Sequence, residues 1–241
     1  MSLEGDLIDI ASSAGVDHYG VADLTTVQSA IRDQGGDVTA AYPYAISLGI
    51  NLIHPLVDNL KGDSDTASIL YQHYVYDVVN TRIDTILSHM AGRIQNEGYI
   101  AFPVPASKRT DDERIASFFS HKLAAHCAGL GWIGKSCLLI TPDAGPRVRW
   151  GSILTNAPLS SAGTPMDERC GTCRECVDAC PVQAFSGEPF RSDEPREVRF
   201  DASLCDLYFK SLRNQGKEAI CGLCVYSCPY GKKASNSLKK L

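Results

Sequence analysis

The 241-residue sequence lacks the segments that direct a chain to or across a membrane. No apolar run approaches the roughly 18 residues that a membrane-spanning helix requires. The N-terminus has no basic stretch followed by an apolar run, and it has no small-residue cleavage site. These absences predict a cytoplasmic protein that has no membrane partner.

Positive charge is also scarce in this chain. Its 23 Lys and Arg residues are outnumbered by 28 Asp and Glu residues, which gives a net charge of −5 at pH 7. Proteins that hold the nucleic-acid backbone over a wide surface are usually basic. The charge balance therefore argues against wholesale binding of nucleic acid, although it is compatible with a local basic patch.

Common catalytic patterns are missing from residues 1–158. No G-x-G-x-x-G follows a predicted strand and no H-E-x-x-H occurs, which excludes the usual dinucleotide fingerprint and the zinc-protease helix. The six histidines are scattered along the chain. His121 and His126 lie five residues apart, and this spacing does not place both on one helical face for a metal ion.

Cysteine, in contrast, is abundant, with ten residues. Without an export signal these thiols are expected to be reduced, and clustered thiols in the cytosol usually hold metal. The run CGTCRECVDACP supplies Cys170, Cys173, Cys176 and Cys180, the last followed by Pro181. This is the ferredoxin spacing, in which three thiolates bind one [4Fe-4S] cluster and the fourth reaches a second cluster.

A second, incomplete run supplies ligands for that second cluster. CGLCVYSCPY contributes three more cysteines, whereas Glu218 stands where a fourth would be expected, and Cys205 is the natural replacement. Exchange of the fourth ligands between the runs predicts two sets. One set is Cys170, Cys173, Cys176 and Cys228, and the other is Cys180, Cys205, Cys221 and Cys224.

The alternative metal for these thiols is zinc. A structural zinc site usually pairs two short C-x2-C hooks, and it needs neither a third cysteine in the run nor a crossing fourth. Cys127 and Cys137 match no metal spacing, and they are predicted to be buried free thiols of the first domain.

Helices and strands mix up to about residue 158. Apolar spacing predicts helices over the first 15 residues and over 65–96, and strands at 18–22, 44–53 and 98–106. Thr110 and Glu113 form a capping box for a helix from Asp111 to Gly129 or Gly131, and residues 136–142 and 148–155 are predicted to form a β-hairpin. The stretch NAPLSSAGTP then predicts a boundary between an α/β domain (residues 1–158) and a cysteine-rich domain (residues 159–241).

The glycine-dense stretch GLGWIGKS, residues 129–136, has two interpretations. Glycines at three positions around Trp132 would let the backbone approach a flat or bulky group closely. The same letters fit a helix C-cap followed by a tight turn, with Trp132 filling the core. The residues alone leave both interpretations open.

A wider pattern favours the first interpretation. AGLGWIGK, LLITP, a G-S-I-L-T strand ending at APL and the CxxCxxCxxxCP run together resemble the cobalamin-dependent epoxyqueuosine reductases and other double-cluster [4Fe-4S] proteins, which are distantly akin to reductive dehalogenases. The resemblance implies an α+β fold: an N-terminal mixed α/β domain that binds a corrinoid (cobalamin), followed by a ferredoxin-like domain whose two clusters reduce the cobalt. By position, it places Tyr76 in the substrate pocket and five residues beside the corrin, namely Gly134, Lys135, Ser136, Leu139 and Thr141.

Three departures from this family bear on the substrate. The proton-donating aspartate of the tRNA-modifying enzymes lies in V-D-x-x-P, where this chain reads FPVPAS, so Asp111, Asp112 and Tyr76 are the catalytic candidates. At the predicted helix start, the two aspartates also fit a capping role. The helical repeats with which the family binds tRNA do not follow Cys228, and no twin-arginine signal of the respiratory dehalogenases is seen. Action on tRNA is therefore doubtful, and export as a respiratory dehalogenase is not expected.

Two classes of function follow from these observations. The first is a corrinoid-dependent reductase of a small molecule, with an external electron donor of the ferredoxin or flavodoxin type and a cavity between the domains lined by Gly134 to Thr141. The second is an electron-transfer protein that serves a partner enzyme or a corrinoid protein. A flavin in place of the corrinoid is a further option.

Overall fold

The computed structural model describes residues 2–61 and 65–239 of the chain. The helices are Leu3–Ser13 (α1), Gln28–Ala40 (α2), His54–Asp58 (α3), Asp65–Gln72 (α4), Asn80–Asn96 (α5), His121–Cys127 (α6), Glu175–Asp178 (α7), Ala202–Asn214 (α8), Leu223–Ser227 (α9) and Pro229–Asn236 (α10). The strands are His18–Asp23 (β1), Tyr44–Asn51 (β2), Ala101–Val104 (β3), Trp132–Ile133 (β4), Leu139–Ile140 (β5) and Val148–Thr155 (β6). This mixture of helices and strands, followed by a helical cysteine-rich region, confirms the predicted α+β fold class.

The residues up to 158 are called the first region. A four-stranded antiparallel sheet forms its centre, in the order β1-β2-β6-β3. Strand β2 pairs along its whole length with β6, from Tyr44 opposite Thr155 to Asn51 opposite Val148. The six inner residues of β2 are buried. A strand covered on both faces should be nearly all apolar, and the run YAISLGIN meets that requirement.

Helices cover the two faces of this sheet. On one face α5 packs against β6, and Ile83 and Leu87 are almost fully buried there. Gly151 of β6 permits this close approach, because an added Cβ would lie 2.4 Å from a methyl carbon of Ile83. On the other face α6 and α2 pack over Leu154. The first region therefore has a hydrophobic core of its own.

The helix predicted over residues 65–96 is confirmed, with one irregularity. Residues His73–Val79 form a π-helical stretch that joins α4 to α5. Such stretches are rare and often lie at functional sites. The stretch contains Tyr76, whose ring lies 4.7 Å from the guanidinium carbon of Arg149.

Two local predictions are wrong. No helix starts at Asp111: its side chain instead accepts hydrogen bonds from the amides of Glu113 and Arg114 in a turn. The helix starts at His121, where the Ser120 hydroxyl caps the amide of Leu123. The β-hairpin is also absent from the structure's described residues, since β5 pairs with β4 while β6 pairs with β2 and β3. Capping residues also occur in turns, and strands can prefer distant partners, so neither pattern was decisive.

The residues from 159 onward are called the second region. It contains a long helix that the sequence analysis did not predict. Helix α8 has 13 residues, carries Cys205 and is capped by the Asp201 carboxylate. The boundary at residue 158 stays a prediction, because Ser161 still hydrogen-bonds to Val21 and Asp23 of β1. Within the described ranges, none of the helices has the length and apolar character needed to cross a membrane.

Candidate iron-sulfur and cofactor site

Three cysteines from the two runs meet near α7 and α9. Cys176 lies on α7, and Cys228 joins α9 to α10. Burial raises the pKa of the Cys176 thiol to about 11, and the neighbouring Cys228 and Cys173 add to that rise. Burial also raises the pKa of Cys228, to which Cys173 contributes. The structure thus brings the end of the second run to Cys173 and Cys176 of the first run. Cys170 joins this first group, because its carbonyl oxygen accepts a hydrogen bond from the Cys173 amide at 2.9 Å.

The other four cysteines form a second group beside the first. Burial, followed by Cys221 and Cys180, raises the pKa of Cys205 to about 11. Burial is also the main cause of the raised pKa of Cys224, and Cys221, Cys205 and Cys176 add to it. Since Cys224 also interacts with Cys176, the two groups are adjacent. No three His, Cys, Asp or Glu side chains in the described part of the chain lie close enough to share one metal ion.

The glycine-dense stretch lies against Cys170 of the first group. A Cβ added to Gly134 would lie 3.3 Å from the Cys170 sulfur. Burial raises the pKa of Cys170 to about 11, while the Lys135 amide and the Trp132 indole act in the opposite direction. The Trp132 ring is 1% exposed, and among the described residues its indole N–H has no hydrogen-bond partner. This N–H is therefore an unpaired donor near the sulfur of Cys170.

Lys135 and Ser136 bind the cysteine loop from the same side. The Lys135 ammonium donates to the carbonyl oxygens of Gly171, at 2.6 Å, and Cys173, at 3.2 Å. The Ser136 hydroxyl interacts with the Cys176 thiol and lowers its pKa. Both side chains are buried, so this part of the stretch supports the cysteine loop directly.

The letters GLGWIGKS also match two phosphate-binding patterns, G-x-G-x-x-G and G-x-x-x-x-G-K-S. Both patterns function where a strand leads through the glycines into a helix. In this chain α6 precedes the glycines, the short strand β4 lies within them, and β5 follows. The lysine ammonium is held by backbone carbonyls of the cysteine loop. The context for binding a nucleotide phosphate is therefore missing from the structure of this stretch.

A cleft of about 610 Å³ opens beside this stretch, between the first region and residues 190–199. Ile133 and Cys137 connect the cleft to the glycine-dense stretch. His121 lines it with Nδ1 2.9 Å from the Ser152 hydroxyl oxygen and Nε2 3.0 Å from the Pro105 carbonyl oxygen. Burial lowers the pKa of His121 to about 4, so this side chain is neutral at physiological pH.

The five residues predicted to lie beside the corrin are all buried: Gly134, Lys135, Ser136, Leu139 and Thr141. None of them lines this cleft or the neighbouring cavity of about 530 Å³. Of the predicted cavity lining from Gly134 to Thr141, Cys137 lines this cleft, and the rest of that site stays a prediction. The stretch reaches the cleft through Ile133 and Cys137, while Lys135 and Ser136 face the cysteines.

The three catalytic candidates lie away from the cleft wall. Asp111 is occupied by the turn described above, and Asp112 forms an exposed ion pair with Arg109 at 2.8 Å. Tyr76 packs against Arg149. The cleft is lined instead by neighbouring residues of the 114–123 segment, including Ile115, whose φ of 51° is unusual for a branched side chain.

Sequence reasoning did not identify the charged residues of the cleft. Lys122 and Arg199 both line it, one from α6 and the other from the loop that follows residues Arg196–Val198. They are isolated in the sequence and belong to no spacing pattern. Only the tertiary contact between the two regions brings them together.

Comparison with known proteins gives the same family as the sequence pattern. Residues 169–231 match the family described as 4Fe-4S double cluster binding domain. An epoxyqueuosine reductase from Atelocyanobacterium thalassa (isolate ALOHA) is 38% identical over 119 residues, which are 47% of this chain and 38% of that protein. The chain thus spans well under half of the length of this curated relative.

Solved structures show the same fold. An epoxyqueuosine reductase, solved with an epoxyqueuosine-modified tRNA stem loop, has a TM-score of 0.60 and 18% identity; 95% of this chain and 65% of that chain are covered. A reductive dehalogenase, described with a mechanism for B12-dependent dehalogenation, has a TM-score of 0.66 and 21% identity, with 97% and 33% covered. Residues 169–231 therefore form a double-cluster [4Fe-4S] binding domain, and the chain shares the fold of the epoxyqueuosine reductases and the reductive dehalogenases.

Proposed function

We propose that this protein is a cobalamin-dependent reductase of the epoxyqueuosine reductase-like type, in which two [4Fe-4S] clusters deliver electrons to a corrinoid. The observation that carries the proposal is the cleft beside the cysteine groups, because Ile133 and Cys137 connect it to the stretch that holds Cys170. An electron carrier alone would need no such ligand site.

The cysteine groups fit two clusters. We assign Cys170, Cys173, Cys176 and Cys228 to the first cluster and Cys180, Cys205, Cys221 and Cys224 to the second. The side chains are half-buried, and the neighbours of Cys176 (Cys228 and Cys173) and of Cys205 (Cys221 and Cys180) support this crossed assignment. Amide and side-chain donors to the sulfurs, such as those of Lys135 and Ser136, are the groups that tune such clusters.

The cleft fits a ligand that extends beyond it, because it is open to solvent on one side. A bound corrinoid would supply a strongly reducing cobalt centre. The chain's own residues would position the ligand and separate the cluster from water. His121 holds a fixed orientation between Ser152 and Pro105, with both ring nitrogens engaged, so it shapes the wall and does not transfer the proton.

The net charge of the chain and its family resemblance support a proposed substrate and a proposed electron donor. We propose a small molecule, and not tRNA, as the substrate, because the chain carries a net charge of −5. A donor of the ferredoxin or flavodoxin type would reduce the clusters, which are adjacent to each other through Cys224 and Cys176.

The proposal is tested by corrinoid uptake. Protein reconstituted anaerobically with iron and sulfide should bind hydroxocobalamin with one-to-one stoichiometry, measured by absorbance after gel filtration. Ala116→Trp, which places a large ring in the cleft, should abolish uptake without loss of iron. Ala162→Trp, at an exposed loop position, is the matched control and should bind normally. Wild-type protein that assembles its clusters but takes up no corrinoid would contradict the proposal.

The alternative function is electron transfer to a partner enzyme or corrinoid protein. The partial exposure of the cluster cysteines favours it, since electrons pass readily to a partner from a cluster near the surface. Under this alternative, the reconstituted protein would reduce a corrinoid protein while binding no corrinoid or flavin itself.

A further inference from the structure

The cleft wall contains an arginine, Arg199, that has no acidic partner among the residues the structure describes. Arg199 is 4% exposed, and it lines the cleft. Its Nε is buried without a hydrogen-bond partner, and within the described residues its guanidinium forms no ion pair. The contact that holds it is the ring of Phe190, with the guanidinium carbon 4.7 Å from the ring centroid. A cation at this depth without a counterion is unfavourable unless a ligand supplies one.

A second cation lines the same cleft. The Lys122 ammonium donates one hydrogen bond, to the Cys137 carbonyl oxygen at 2.6 Å, which leaves two of its three protons for other acceptors. Burial lowers the pKa of Lys122; the thiols of Cys137 and Cys224 act in the opposite direction, and the positive charges of Arg196 and Arg199 lower it further. Lys122 and Arg199 are therefore close enough to repel each other.

The acidic residues around the cleft are already paired. The pairs are Asp33 with Arg114 at 3.2 Å, Glu197 with Arg196 at 3.0 Å, and Asp193 and Glu194 with Arg191 at 3.0 and 3.2 Å. His121 is neutral. These pairs leave Lys122 and Arg199 as cations of the wall that form no ion pair with a carboxylate in the described part of the chain.

Two further residues that line the cleft carry buried donors. Among the described residues, the Ser117 hydroxyl and the Arg196 Nε have no hydrogen-bond partner. Buried polar groups without partners are rare because each is costly. Unpaired cations and unpaired donors on one wall together describe a site for an anion.

We propose that the cleft binds an anionic group, a carboxylate or a phosphate, between Arg199 and Lys122. The proposal rests on the cleft being the ligand site, as in the proposed function, but it does not depend on which cofactor the protein uses. The anion can belong to the substrate or to the phosphodiester of a complete cobalamin, and both present the same oxygens to the two cations.

Binding of benzoate and of inorganic phosphate to the cluster-loaded full chain tests the proposal. Arg199→Gln and Lys122→Gln should each weaken binding about tenfold or more, measured by calorimetry. Arg213→Gln, at an exposed position of α8 outside the cleft lining, is the matched control that removes the same charge, and it should bind as wild type does. Wild-type protein should also prefer benzoate to the neutral benzamide.

A stability measurement guards against misfolding of the variants. In anion-free buffer Arg199→Gln should melt at the same temperature as wild type or higher, because it removes an uncompensated buried charge. Added phosphate should raise the melting temperature of wild type but not of the variant. Failure of both anions to bind wild type, or binding by both cleft variants that is as strong as in wild type, would overturn the proposal.

Two corrinoids identify the source of the anion. If Arg199→Gln weakens uptake of hydroxocobalamin but not of dicyanocobinamide, which lacks the nucleotide phosphate, the anion belongs to the cofactor. If uptake of both is unchanged while benzoate binding is lost, the anion belongs to the substrate. A wild-type protein that binds benzoate but neither corrinoid contradicts the proposed function and leaves the anion site supported.

Discussion

The two regions of this protein differ in what holds them together. In the first region β2 is buried along six consecutive residues, with helices on both sides of the sheet. Among the described residues after 165, four apolar side chains are buried, Val177, Ala184, Ala202 and Ile220. Two of these are alanines, so the second region has too little apolar volume for a core of its own.

The difference indicates where each region obtains its stability. Apolar burial stabilises the first region, whereas metal-thiolate bonds are needed to fold the second, as in other small metal domains. Lys135 and Ser136 connect the two, because they bind the cysteine loop from the sheet side. The first region should therefore fold without iron, and the second should not.

The largest expected effect comes from removal of iron. Chelation under mild oxidation should unfold the segment that contains α7, α8 and α9, and leave β2 and β6 folded. Hydrogen exchange read by mass spectrometry should show loss of protection in residues 170–231 and full protection in residues 44–51 and 148–155. Loss of protection in both regions together would contradict two separate sources of stability.

Paired cysteine substitutions test which cysteines bind the same cluster. Cys180→Ser should reduce iron from about eight to about four atoms per chain. Adding Cys205→Ser should remove no more iron, because both residues belong to the same proposed cluster, whereas adding Cys173→Ser should remove nearly all of it. If Cys180 instead binds the same cluster as Cys173, adding Cys205→Ser should remove nearly all of the iron, and adding Cys173→Ser should remove no more. Cys127→Ser, a buried thiol of the first region, is the control and should keep its iron.

A smaller effect is expected from the donor that the first region directs at the first cluster. Trp132→Phe keeps an aromatic ring, although a smaller one, and removes the N–H near Cys170, which stabilises the more negative, reduced cluster. Loss of about 1 kcal/mol of such stabilisation should lower the midpoint potential of that cluster by roughly 40 mV.

The chain's other tryptophan provides the control for this titration. Trp150 is buried in the first region, where its ring packs 5.5 Å from His18. Trp150→Phe should leave both potentials unchanged in an EPR-monitored redox titration. Equal shifts in the two variants would show that Trp132 acts through packing alone.

The smallest effect concerns pH and the first region alone. Because burial holds the pKa of His121 at about 4, below its ordinary value of 6.5, the folded protein binds fewer protons than the unfolded chain between these values. Stability should therefore be unaffected by this group above pH 6.5, and fall below it by at most about 1.4 kcal/mol per pH unit. Thermal unfolding between pH 7.5 and 5 should show this loss, and His121→Gln should reduce it. His89→Gln, at an exposed position of α5, should retain the wild-type pH dependence.

The sequence predicted some features well because their causes are local. Spacing in the helix of residues 65–96 reports burial on one side, and the buried face found in α5 agrees with it. The cysteine runs predicted a double-cluster domain because the metal itself fixes the spacing.

Features with distant causes could not be predicted. Asp111 shows this, since the same capping letters serve a turn in the structure, and β6 pairs with a strand from near the N-terminus. The cleft is a stronger example. Lys122 and Arg199 come from different regions, and their lack of acidic partners can be seen only once both regions are folded together.

Quantification of iron and cobalt in one sample tests the central claim most directly. Protein reconstituted anaerobically with iron, sulfide and hydroxocobalamin, and then freed of unbound metal, should contain about eight iron atoms and one corrinoid per chain. A sample with both clusters assembled and no cobalt would show that the cleft does not hold a corrinoid, and would contradict the account.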